Sequence, residues 1–244
     1  MATPVNQIRA PGVDGRLRRL IGRLWPGRCL VCAEASPPSR DLCPACFGCL
    51  PWNRSACARC AVPLPLLPAV SPGPLQPAVC GDCLQQPPPL QATRAAFVYG
   101  APLDRLLPRF KFHHDLAAGR LLAQLMVHAL ADAPQPQALV PIPLHRARLR
   151  SRGYDQALEL ARPLARTFGL PLQATLLQRI RATAAQSELD ARARRRNVRG
   201  AFAVTPARTL PEHVALVDDV MTTGATLHAA AAALRRAGVA RVDA

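Results

Sequence analysis

The sequence predicts a two-part molecule: a small cysteine-clipped module followed by an α/β domain with a mainly parallel sheet. Three observations predict it. Four C-x-x-C pairs are confined to Cys29 through Cys83, strand and helix signals alternate from Gln91 onward, and the apolar run Val214–Val217 ends on two adjacent acids and a threonine-rich turn. The expected boundaries are a basic N-terminal segment over 1–28, the cysteine module over 29–90 and the α/β domain over 91–244.

Half of the 244 residues are apolar, enough to bury a substantial core. Thirty-one basic residues against 15 acidic ones leave a formal net charge of +16, which points to an anionic partner: nucleic acid, a phosphorylated metabolite or a membrane surface. Lys111 is the sole lysine; genome composition accounts for much of that arginine preference, but not for the charge. Asn6–Trp25 alternates Arg with Leu and Ile and forms no apolar signal core, and no run approaches the roughly 20 apolar residues of a spanning helix. The expectation is a cytoplasmic chain with no membrane span, in which Gly15–Trp25 forms a short basic amphipathic helix packed on the rest of the protein, with binding to a membrane surface as the alternative.

Cysteine spacing decides the chemistry of the first part. Cys29/Cys32, Cys43/Cys46, Cys57/Cys60 and Cys80/Cys83 each present two thiolates from one tight turn, and without an export signal such pairs serve metal rather than disulfides. Two structural Zn²⁺ sites of four cysteines follow. The simplest pairing is sequential, and an interleaved cross-brace is the alternative. Cys49 is left over as a spare buried thiol, although its C-x-x-C spacing from Cys46 also lets it replace Cys43. A redox reading is weak, because a thioredoxin-like site uses one such pair at a strand-to-helix junction. Prolines between Cys60 and Cys80 forbid a helix and predict an extended excursion, and Leu84–Leu90 reads as a short stiff linker.

Along the α/β part, the pattern predicts a strand at Ala95–Tyr99, helices at Leu103–Phe112 and Leu116–Ala131, a buried strand at Ala138–Ile142, a basic loop, and a helix at Asp155–Phe168. Leu176–Ile180 and Ala201–Val204 read as extended, with a mobile, strongly basic segment from Thr183 to Arg199 between them. The strand Val214–Val217 then leads through the loop Asp218–Ala225 into a helix from about Thr226 that stops at Gly238, and Val239–Ala244 begins another strand.

A strand, short loop and helix in that order aim backbone N–H groups and the positive helix end at one point, which suits a phosphate. Thr222, Thr223 and Thr226 add hydroxyl donors, and Gly224 allows close approach. Asp218 and Asp219 cannot hold phosphate but can accept hydrogen bonds from a sugar diol, so a sugar phosphate satisfies both halves. Neither the P-loop nor the dinucleotide glycine fingerprint is present.

VALVDDVMTTGAT, from Val214, resembles the phosphoribosyl pyrophosphate (PRPP) signature of type I phosphoribosyltransferases. The segments AFVYGAPLDRLLPRFKF, LVPIPLHRARLRSRGYDQALELA and LLQRIRATAAQSELDARARRRNVRGAF, together with a double zinc ribbon ahead of them, resemble the ComF (GntX-like) competence family. The resemblance implies a type I phosphoribosyltransferase fold. It implies that Asp218 and Asp219 contact the ribose hydroxyls and stabilise developing positive charge, and that Thr222, Thr223, Gly224, Ala225 and Thr226 hold the 5′-phosphate. Pro141, Ile142, Pro143 and Leu144 fall at the pyrophosphate loop, followed by Arg146, Arg148, Arg150 and Arg152 as counter-charge, unless this alternation is one solvated face. Residues around Thr183–Asn197 match the loop that closes over PRPP, and Lys111 lies in the family's K-F motif within reach of the ligand.

The implied chemistry displaces pyrophosphate from C1 of PRPP, with Mg²⁺ recruited chiefly by the substrate's oxygens. Thr222 stands where some purine-salvage relatives carry a general base, so an acceptor's proton must leave by another route. The sequence therefore supports two functions, a phosphoribosyltransferase of the DNA-uptake system with an unspecified acceptor, or a PRPP-sensing module that binds single-stranded DNA beside the uptake machinery. With ten aromatic residues of the Phe, Trp and Tyr types in the chain, strand binding is expected to be backbone-dominated. A plainer role for the ribbons is to complete the fold and cover the pocket.

Overall fold

The computed structural model describes residues 27–37, 40–65, 78–182, 197–206 and 208–244. The expected N-terminal helix, most of the proline-rich excursion and the 183–196 stretch of the basic loop lie outside them. The chain divides into two compact units between Cys49 and Leu50, so the second cysteine cluster shares a unit with the α/β part, and the boundary expected at Gln91 falls within that unit.

In the first unit a two-residue hairpin, β1 (Gly27–Arg28) and β2 (Ala35–Ser36), is followed by the short helix α1 (Pro44–Gly48). The second unit opens with the ribbon that ends in α2 (Gly81–Gln85). Then come α3 (Leu103–Phe112), α4 (Leu116–Ala129), β3 (Ala138–Pro141), α5 (Arg146–Arg152), α6 (Gln156–Phe168), β4 (Leu177–Arg179), β5 (Phe202–Val204), β6 (His213–Val217), α7 (Ala225–Arg236) and β7 (Arg241–Asp243).

β3, β6 and β7 form a parallel sheet with β6 in the middle, Pro141 opposite Val217 and Val214 opposite Val242. Two irregular segments widen it. Leu172 bridges Leu139 in parallel, with Leu139 N–H donating to Pro171 and Gln173 N–H to Leu139. On the far edge, Gln91 N–H donates to Val242, Ala244 N–H to Ala92 and Arg94 N–H to Ala244. Five extended segments thus lie side by side.

β3 and β6 beyond His213 are apolar on both faces, as parallel strands covered by helices must be, while the edge strand β7 carries Arg241 and Asp243 around the buried Val242. Ala138, Val140, Val214 and Leu216 pack with Leu227, Ala230, Ala231 and Leu234 of α7 and with Leu177 and Phe202 of the β4–β5 hairpin. The alternate residues face α4 and α6, where Leu121, Leu125, Leu160 and Leu164 are buried. Gly119 of α4 lets α3 approach, since a Cβ there would lie 2.4 Å from the buried Phe110 ring. The ring also stacks on Tyr154 at 5.7 Å.

Three expectations need correction. The segment read as a basic loop is the helix α5, capped by the His145 side chain accepting from Ala147 N–H and stopped at Gly153, whose φ of +74° few other residues adopt. Alternating arginines hid its period. Ala95–Tyr99 is not a sheet strand: Phe97 makes one antiparallel bridge to Trp52, and the sheet takes 91–94 instead. Cys49 is exposed, not buried. Among the described residues no helix is long and apolar enough to cross a membrane.

Candidate functional site: an acid pair, a threonine loop and two four-cysteine clusters

The cysteines pair sequentially: Cys29, Cys32, Cys43 and Cys46 form one cluster, and Cys57, Cys60, Cys80 and Cys83 the other. Within each, the sulfurs lie within 4.8 Å of one another. Cys32 Sγ stands 3.6 Å from Cys43 Sγ and Cys60 Sγ 3.7 Å from Cys80 Sγ. A tetrahedral ion with Zn–S bonds of about 2.3 Å sets its sulfurs about 3.8 Å apart, so both clusters fit zinc. Cys49 belongs to neither.

Both clusters use one local design. The first cysteine's N–H donates to the residue five ahead (Cys29 to Glu34, Cys57 to Val62), and its carbonyl accepts from an alanine four ahead, Ala33 or Ala61, in the left-handed region. The third cysteine opens a short helix. The repeated Cys-x-x-Cys-Ala is the sequence trace of this turn. Burial raises the Cys57 thiol, but N–H groups of Cys80, Arg59 and Cys60 outweigh it and bring it down to about 6, favouring the thiolate a metal needs.

The acid pair stands where β6 ends. Asp219 N–H donates to Asp218 Oδ1 at 2.9 Å, and Lys111 Nζ from α3 spans both Asp219 oxygens at 2.9 and 3.1 Å. Apolar side chains, among them Leu103, Leu160 and Leu216, line a cavity of about 240 Å³ that reaches both acids. Desolvation first, then the like charge of Asp219, raises the Asp218 carboxyl from 3.8 to about 8. Folded Asp218 therefore keeps a proton that the unfolded chain releases, so its contribution to stability falls as pH rises from about 4 to about 8 and is flat above. Asp218→Asn is expected to flatten this slope; melting temperatures of the two proteins across that range check it, and parallel curves refute it.

After the acids the loop turns through Gly224, whose φ of +69° starts α7; a Cβ there would lie 2.8 Å from Met221 Cε and 2.9 Å from His228 Nε2. Thr222 is exposed, while the Thr223 hydroxyl is buried without a hydrogen-bond partner. Ala225 and Thr226 form the first turn of α7.

Pro141, Ile142, Pro143 and Leu144 run alongside, with Ile142 N–H donating to Val217 at 2.9 Å. Asp155 holds their far end, accepting from Leu144 N–H at 2.9 Å while capping α6 through Leu158 N–H at 3.1 Å. Asp155→Ala is expected to cost about 1–3 kcal/mol by removing the cap and leaving a backbone donor unmet. Urea unfolding reads this directly, and an unchanged midpoint rules the role out.

The helical form of α5 resolves its arginines. Arg148 and Arg152, four apart, are partly buried, while Arg146 and Arg150 are exposed. Desolvation and then Arg148 lower the Arg152 guanidinium, with Asp219 opposing; desolvation and then Arg148 lower Arg179, with Asp218 opposing. Three arginines thus share one field with the acid pair.

A double zinc ribbon family model matches residues 20–84. The chain is 36% identical over 228 residues to the DNA utilization protein YhgH of Salmonella typhi, covering 89% of this chain and 95% of that one. It is 37% identical over 172 residues to competence protein F of Haemophilus influenzae, covering 67% and 75%. The chain belongs to the ComF (GntX-like) competence family. The YhgH protein of Escherichia coli K12 is 32% identical over 245 residues, covering 97% of this chain and 96% of its own. No solved structure matches.

As a family member the chain combines a mixed α/β fold on a parallel sheet, consistent with the type I phosphoribosyltransferase-like fold, with the double zinc ribbon. Two residues of its site escape the motifs. Arg179 occupies an inward position of β4, where Leu177 points in and Gln178 out, and an arginine at such a position was the available signal. His228 sits one turn into α7, where its spacing from Gly224 reads only as helix interior.

Proposed function

We propose that the chain binds PRPP with Mg²⁺ at the acid pair and threonine loop and transfers the phosphoribosyl group to an acceptor in the service of external DNA use. The observation that carries this is the juxtaposition of Asp218 and Asp219 with a glycine-turned loop holding the buried, unpartnered Thr223 hydroxyl. Asp219 takes hydrogen bonds from the ribose diol, and Lys111 moves with it or onto the ligand. Thr222–Thr226 and the α7 N-terminus receive the 5′-phosphate. Pro141–Leu144, Arg148, Arg152 and Arg179 face pyrophosphate.

Mg²⁺ bound with PRPP supplies charge neutralisation on the pyrophosphate. The C1–O bond breaks with its electron pair leaving on pyrophosphate, the acceptor's lone pair forms the new C1 bond, and the acceptor's proton passes to water. The fixed Asp219 carboxylate, with protonated Asp218 as a neutral hydrogen-bonding partner, stabilises the cationic ribosyl centre without reorganising. Two Zn²⁺ ions complete the ribbons, the compartment is the cytoplasm, and the uptake machinery is the setting, as the relatives' printed names on DNA utilisation and competence support.

Calorimetric titration with PRPP and Mg²⁺, followed by pyrophosphate release with a panel of bases, tests this reading; absence of saturable binding rejects it. A second reading rests on the surface. Phe112 is 61% exposed, and Arg152 lies 5.3 Å over its ring, a stacking platform at the end of the helix that also carries the exposed Arg146 and Arg150. It makes the chain a PRPP-responsive single-stranded-DNA binder without turnover. Affinity for an oligonucleotide that falls steeply with salt supports it, and absent or salt-insensitive binding removes it.

A further inference from the structure

The acid pair already has a cation. Lys111 stands in the last turn of α3, whose end is fixed by the buried Phe110 ring against Gly119, and its Nζ lies 2.9 and 3.1 Å from the two Asp219 oxygens. Asp218 Oδ1 is taken by the Asp219 N–H at 2.9 Å. Three of the pair's four carboxylate oxygens are thus committed to protein donors. Mg²⁺ demands close, near-octahedral oxygen ligands and sheds its waters reluctantly, so the one remaining oxygen is a poor anchor for it. An ammonium is the nearest side-chain equivalent of such an ion, a compact and strongly hydrated point charge on a flexible stem. The one lysine among 31 basic residues occupies this place.

The surrounding charge disfavours a divalent ion further. Arg152 interacts with Asp219 and Arg179 with Asp218, while Arg148 interacts with both arginines and Asp155 with Asp219. Lys111 interacts with both members of the pair. Among these described residues, four cations face three carboxylates, so a positive surplus remains whether or not Asp218 holds its proton. A free divalent cation is repelled by such a field, and a phosphate ester is drawn into it.

We infer that the Lys111 ammonium is the resident cation of the acid pair, standing where a divalent metal would otherwise bind, and that the site holds PRPP without needing Mg²⁺. The inference rests on the PRPP reading above. When the ribose diol takes the Asp219 oxygens, the flexible stem lets the ammonium turn to the pyrophosphate beside Arg148, Arg152 and Arg179. Its charge thereby passes from the carboxylate to the ligand, and the site's own side chains supply the counter-charge for binding. Any Mg²⁺ is held by the pyrophosphate oxygens and not by the carboxylates.

The zinc-loaded full chain is titrated calorimetrically with PRPP in Mg²⁺-free buffer and in buffer with Mg²⁺, at one ionic strength so that screening is equal, and zinc content shows that both ribbons are intact. The two wild-type dissociation constants are expected to agree within about threefold. Lys111→Met should weaken binding about tenfold or more in the Mg²⁺-free buffer, the loss of one charge-assisted contact, and should regain most of that affinity with Mg²⁺. Mn²⁺ added without PRPP and followed by its electron paramagnetic resonance signal should be left equally free by the wild type and by Asp219→Asn. Saturable PRPP binding by the wild type only when Mg²⁺ is present overturns this inference and leaves the PRPP reading standing. Equal metal dependence of wild type and Lys111→Met, or Mn²⁺ uptake by the wild type that Asp219→Asn abolishes, also overturns it. No PRPP binding in either buffer rejects the PRPP reading itself, and this inference with it.

Discussion

Asp219→Asn is expected to weaken PRPP binding by roughly 10- to 100-fold, the loss of a charge-assisted hydrogen bond of about 1.5–3 kcal/mol. The side chain is the natural diol acceptor, because it lies at the sheet's carboxyl edge with only 9% exposure and its two oxygens are already engaged by Lys111 Nζ. An amide keeps the shape, loses one acceptor and leaves that ammonium without its counter-charge. Lys111→Met alone should therefore also change the affinity. If Lys111 acts through Asp219, its effect should shrink in the Asp219→Asn background, giving a coupling that additive losses would not show. Equal affinities of wild type and Asp219→Asn for PRPP with Mg²⁺ would remove the acid pair from the site.

Part of this arrangement is written locally and part is not. The ribbon turns are legible because ligation needs paired thiolates on adjacent turns, and the structure resolves the open choice of pairing in favour of the sequential one. β6, the acid pair and α7 are legible for a similar reason, since an apolar run, two acids and a glycine turn describe one continuous backbone path. The helix α5 was hidden because Arg146, Arg148, Arg150 and Arg152 alternate at period two although the backbone turns at 3.6, and only Gly153 marks its end. The edge strand at 91–94 was displaced in expectation by the more apolar 95–99. Its pairing is chosen by Val242 and Ala244 some 150 residues away, and no local pattern carries that information. The cavity beside the threonine loop is illegible for the same reason: Asn53, Tyr99 and His228 come to line it only after the ribbon folds back on the α/β part. Arg179 reaches the acid pair's field through a hairpin whose connection is long in sequence.

Loss of the second zinc should cost the α/β unit far more than a ribbon's size suggests. Structural zinc in small modules contributes about 10–16 kcal/mol of apparent folding free energy. Cys57 is fully buried at the start of its cluster, and the strands of backbone beside it, Pro51–Asn53 and Ala58–Arg59, accept from or donate to Thr93, Ala96 and Val98. Those bonds hold the segment that leads directly into the sheet edge at Gln91–Arg94. Cys57→Ser is therefore expected to lower the main melting transition by at least about 10 °C and to remove one of two zinc equivalents, with PRPP affinity falling as well. Cys29→Ser strikes the cluster of the other compact unit, and its expected effect is loss of the other zinc equivalent with the main transition kept. Differential scanning calorimetry with metal analysis separates the two. Equal shifts from both substitutions would mean that the second ribbon is no more integral to the α/β unit than the first, and a Cys57→Ser protein that keeps the wild-type transition would make it a mere appendage.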